Sequence, residues 1–98
     1  MQTITKVSEI TTADLADYLR LDDDGEITML ANLLAVAKSF IQGYTGLTVE
    51  QMDEHEDFVI VVFVLVQDMY DNRTLYVDNA NLNRVVETIL GMHRVNLL

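Results

Sequence analysis

FVIVVFVLVQDMYDNR, the stretch from Phe58 to Arg73, decides how this chain folds. Nine apolar residues, Phe58 to Val66, run without interruption into Gln67, Asp68, Met69, Tyr70, Asp71, Asn72 and Arg73. An element this apolar is buried on almost every side, and it ends in a polar cluster with an aromatic at its edge. The branched residues Val59 to Val66 would also pass for a buried strand. Three observations favour a helix: strict alternation is absent, no second strand-like run offers a partner, and Met52-Asp53-Glu54-His55-Glu56-Asp57 leads in without a turn signal. Thr48 and Gln51 have the spacing of a capping box, and Asp53 equally suits a later start, so the reading predicts one long helix that begins at one or the other and reaches about Asn72. A chain of 98 residues rarely encloses such an element alone. It is either the centre of a small domain or partly covered by another subunit.

Working outward, the first ten residues read as irregular and mobile. A first helix, Ala13 to Leu21, is capped by Thr11 or Thr12 and carries Leu15 with Tyr18 and Leu21, or with Leu19, on its inner side. The acidic knot Asp22-Asp23-Asp24-Gly25-Glu26 suits the positive end of a second helix, Glu26 to Gln42. Ile27, Leu30, Leu34, Ala37 and Ile41 form that helix's apolar stripe, and Gly43 and Gly46 end it. After the long third helix, Arg73 to Asn81 reads as a loop with a short extended stretch at Thr74–Val77. A last helix, capped by Asn81 or Asn83, carries Val85, Val86, Ile89 and Leu90 and ends near Gly91–Met92. The expectation is therefore an all-α single domain over 1–98, a small bundle of about four helices with a long central third helix and a tail at 95–98.

Composition excludes several function classes. The chain has no cysteine and no proline, which removes thiol chemistry and suits helices. Its longest apolar run falls well short of the roughly 20 residues a membrane span needs, and no signal peptide is expected at Met1 to Leu15. Sixteen acidic residues against six basic ones give a net charge of −10. Such a surface repels phosphate, so sequence-reading DNA binding is not expected, whereas an acidic wall past which DNA slides is a coherent use of the charge.

Read as a calcium loop with Gly25 at its sixth position, Asp22 to Glu26 would place Arg20 first and Ala31 twelfth, where carboxylates are required. Glu54-His55-Glu56-Asp57 sets one imidazole among three carboxylates, but the second histidine, His93, stands at no ligand spacing from it. No glycine-rich phosphate loop follows Gly43 or Gly46, because no lysine completes it. No catalytic residues, metal ligands or cofactor are expected.

Four short motifs resemble a known family. Asp14-Leu15-Ala16-Asp17-Tyr18-Leu19-Arg20-Leu21 followed by aspartates, the Ala35 to Gln42 helix closing on Gly43-Tyr44-Thr45-Gly46, the Tyr70-x-Asn72-Arg73 ending, and Val85 to Arg94 occur in the order found in head-tail connector (adaptor) proteins of tailed bacteriophages. The resemblance implies a non-enzymatic virion protein, encoded by a phage or prophage and assembled in the host cytoplasm. About a dozen copies would form a ring beneath the portal protein, prolonging the channel used in DNA packaging and receiving a downstream connector or the tail; such a ring needs head-to-tail contacts that close on themselves. The competing reading is a small acidic regulatory protein of the DNA-mimic type. Within the connector reading, Asp57, Val61, Val64, Asp68 and Asp71 fall on one helical line. Val61 and Val64, flanked by Asp68 and Asp71, are the expected subunit interface, with Phe58, Val62, Leu65, Val66 and Met69 facing the core. Tyr70, Asn72 and Arg73 are the expected contact for a neighbouring protein at the junction.

Overall fold

The computed structural model of the chain describes residues 4–21, 27–77 and 82–94. Among them are five α-helices and no strand, so the chain is the all-α bundle expected. Helix α1 (Thr12–Leu19) opens on Thr11, whose hydroxyl accepts the Asp14 N–H at 3.2 Å while the Asp14 carboxylate accepts the Thr11 N–H at 2.8 Å. Two donors that the first turn leaves over are satisfied by this exchange. The helix closes with Arg20 in the left-handed region, φ 60, as the Leu21 N–H reaches back to the Ala16 carbonyl at 2.9 Å.

Helix α2 (Ile27–Thr45) buries Leu30, Leu33, Ala37 and Ile41. Leu33 rather than Leu34 lies fully inside, and Ile27 is exposed. The acidic knot and the expected start at Glu26 lie outside the described residues. Gly43, expected to end this helix, lies within it. The stop comes from Thr45, which is buried, donates its hydroxyl to the Ile41 carbonyl at 2.7 Å and accepts the Leu47 N–H at 3.2 Å. Gly46 then takes φ 79, where a side chain would be strained.

The single long third helix is corrected to two. Thr48 and Gln51 do form the capping box, but it opens only the one-turn helix α3 (Val49–Met52). Residues 53–56 turn, and α4 runs Asp57–Asn72. Glu54 and His55 donate to the carbonyls three residues back, Gln51 and Met52, at 3.2 and 3.1 Å, a tightening that ends the α-helical ladder. Of the opening residues, 7–10 are also more regular than expected. Val7–Glu9 form a 3-10 turn packed on α3 and α4, with Val7 and Ile10 in the core. Ser8 fastens this turn to Asp53.

Helix α4 packs most broadly on α2 and also touches α1 and α5. Phe58, Val62, Leu65, Val66 and Met69 are buried, as expected of its inner side. Helix α5 (Arg84–His93) is capped by the Asn83 side chain, which accepts the Val85 N–H at 2.8 Å; Asn81, the other expected cap, is outside the described residues. It buries Val86 and Leu90, leaves Val85 exposed and continues past Gly91–Met92 to His93. Thr74–Val77 forms a bend rather than an extended strand.

Candidate functional site

Among the described residues, the turn at 53–56 builds the most concentrated group of potential ligand side chains. It carries His55 to the edge of the Phe58 ring, centroids 5.8 Å apart and planes at 85°. Helix α5 runs back beside the start of α4 and delivers His93 to the same place. The His93 ring lies 4.2 Å from that of His55 and 4.8 Å from that of Phe58. His93 Nε2 and Asp57 Oδ2 are 2.8 Å apart. Asp57 is the first residue of α4, where a carboxylate suits the positive helix end, and His93 is the last of α5. One potential ligand atom from each of His55, Asp57 and His93 lies within 4.8 Å of the others. The two histidines, which stand at no ligand spacing in the sequence, are thus neighbours in space, and Asp57 meets His93 across 36 residues.

The expected subunit contact on α4 is only partly available. Val61 has 0% of its surface exposed within the single chain, so it belongs to the core and leaves a neighbour nothing to cover. The aspartates on its line did not force it outward because α4 is covered on several sides. Val64 is half-buried, and Asp68 and Asp71 are exposed. Partial desolvation by its neighbours raises the Asp68 carboxyl above the usual range even though the residue is exposed, and the charge of Asp71 raises it further. The large apolar residue that α4 does expose is Ile60, at 56%.

At the far end of α4, Arg73 takes φ 55 and its guanidinium stands over the Tyr70 ring, 5.2 Å from the centroid. The Thr74 N–H closes back on the Met69 carbonyl at 3.0 Å, and the Asn72 amide donates to the Asp68 carbonyl at 2.8 Å. These three residues are thus the lock of a helix end, and the segment they launch carries Leu75 and Tyr76 outward, 58% and 64% exposed. Tyr76 also borders a cleft of about 500 Å³ with Leu65, Asp68, Met69, Asn72 and Leu82. On its other side is a shallow groove formed with Val36 and Phe40 of α2.

The chain matches no protein-family model, no curated protein and no solved structure. No helix among the described residues is long and apolar enough to cross a membrane.

Proposed function

We propose that the chain is a structural subunit of a tailed-phage head-tail junction, assembling with copies of itself into a ring beneath a portal protein. The observation that carries this reading is the Leu75–Tyr76 pair, held out from the end of α4 by the left-handed Arg73 on an otherwise acidic molecule. A chain of this size gains from covering such side chains with a neighbour. Tyr44-Thr45-Gly46 and Tyr70-x-Asn72-Arg73, two of the motifs shared with connectors, are the devices that end α2 and α4. The negative charge fits a channel wall past which packaged DNA moves without binding. The reading assigns the subunit no catalytic step and no cofactor.

The DNA-mimic alternative is less well supported, because a mimic needs carboxylates displayed in a row. Asp14, Asp53 and Asp57 are instead engaged inside the chain, by Thr11, Ser8 and His93. Light scattering and negative-stain images of the purified protein, alone and mixed with its portal, test the proposal. Discrete rings are expected, and Leu75→Ser with Tyr76→Ser should abolish them while leaving helical circular dichroism unchanged. Monomers under both conditions would sink it.

A further inference from the structure

We propose that His55, Asp57 and His93 together bind one transition-metal dication of the zinc class. Two imidazoles and one carboxylate are a donor set for borderline metals; calcium and magnesium require oxygen ligands, and two of these three ligands are nitrogen. Zinc bonds of about 2.0 to 2.2 Å in a tetrahedral array hold ligand atoms roughly 3.3 Å apart. The present atoms all lie within 4.8 Å of one another, so they need draw together by only roughly 1.5 Å or less. His55 and Asp57 stand two residues apart where the turn enters α4, and His93 comes from the end of α5. None of the three is buried, and the His93 and Asp57 side chains are 18% and 35% exposed, so a hydrated ion can enter. Solvent then supplies the fourth ligand, as in open zinc sites.

The unliganded arrangement leaves something for a cation to do. His93 is satisfied by Asp57, but the His55 ring lies against His93 at an interplanar angle of 37° without a hydrogen bond to any described residue. Two stacked imidazoles beside a carboxylate gain when a dication sits between their nitrogens and the oxygen. Phe58 forms an apolar floor beneath the rings, which limits competing water on that side. Binding would tie the α3–α4 turn to the end of α5, which the sequence separates widely, and so raise the stability of the fold.

The chain contains two histidines, which permits a direct test on the unaltered protein with any affinity tag removed. Zinc chloride is titrated in a background of millimolar magnesium, which occupies the acidic surface. Binding is followed by calorimetry and by the histidine ring signals in ¹H–¹⁵N nuclear magnetic resonance. One equivalent of zinc should move the ring signals of both histidines and raise the melting temperature. His55→Gln, a change on a solvent-facing turn, should weaken binding by at least about tenfold, the loss that follows even removal of a ligand's supporting neighbour. No saturable binding, binding that leaves either ring signal in place, or equal affinity in His55→Gln overturns the proposal. Asp57→Asn, measured the same way, decides the matter should His55→Gln unfold.

Discussion

Ser8 and Asp53 are joined twice across 45 residues of sequence: the Ser8 N–H donates to Oδ1 at 3.0 Å and its hydroxyl to Oδ2 at 2.7 Å. This clamp holds the N-terminal turn against the break between α3 and α4. Burial alone would raise the Asp53 carboxyl, but the two Ser8 bonds, aided by Lys6 and Lys38, outweigh it and hold the carboxyl below the usual range. A depressed folded-state value means that the clamp's stabilisation is complete above the unfolded aspartate value, about 3.9, and is lost as pH falls through the lower folded value. Ser8→Ala should cost about 1 kcal/mol at neutral pH. Its urea midpoint should converge on the parent's in strong acid; a difference that persists unchanged at low pH would show that the hydroxyl does not act through the carboxylate.

Asp68 has the opposite sign. Its raised value means that the ionised form destabilises the fold, fully so above the folded-state value, and that protonation relieves this as pH falls through it. The end of α4 adds an unfavourable dipole. Asp68→Asn should therefore raise stability by a few tenths of a kcal/mol at pH 7. Chemical denaturation across pH should show that gain vanishing in acid.

Backbone preferences at two sites run against the residues that occupy them. Arg20 sits at φ 60, where a side chain costs about 1 kcal/mol, so Arg20→Gly should raise the denaturation midpoint. Gly43 lies inside α2 with open space where a Cβ would project, so Gly43→Ala should stabilise by about 0.5 to 1 kcal/mol. Neither substitution should change circular dichroism at 20 °C or below by more than the end residues of one helix.

Val61 and Ile60 are adjacent in sequence and opposite in role. Val61→Ser places a hydroxyl in the core and should cost about 3 kcal/mol. Ile60→Ser lies on the exposed side and should leave thermal melting within about 0.5 kcal/mol of the parent. If a ring forms with Ile60 in a subunit contact, the second variant reduces assembly while the first reduces folding.

The bundle was legible where burial writes a long pattern, Phe58 to Met69 on α4 and Leu30 to Ile41 on α2, and in the cap at Thr11 and the capping box at Thr48. What was not legible depends on partners distant in sequence. Asp53 offered a later start, but nothing local says that the chain turns between Met52 and Asp57; Ser8 capturing Asp53 and the packing of Val7 beside it accompany the break. Val61 looked like an interface residue because its line of neighbours is acidic, yet helix coverage by α1, α2 and α5 is a property of the whole bundle. His55, Asp57 and His93 could not be joined from spacing, since the antiparallel return of α5 creates their proximity. At Arg20 and Arg73 the left-handed helix ends occur without the glycine that usually announces them.

The same nine residues that make α4 the best-covered helix carry a different hazard before the bundle closes. Off the fold, Phe58 to Val66 is an uncharged, proline-free, β-prone window of the kind that stacks into intermolecular sheets. Asp57 on one side and Asp68 just beyond the other act as charged gatekeepers, but the run itself has none. Yield of soluble protein from this chain therefore depends on how quickly α4 docks on α2 after synthesis. Variants that slow that docking will be lost to aggregates first, while the copies that do fold keep their full helical content.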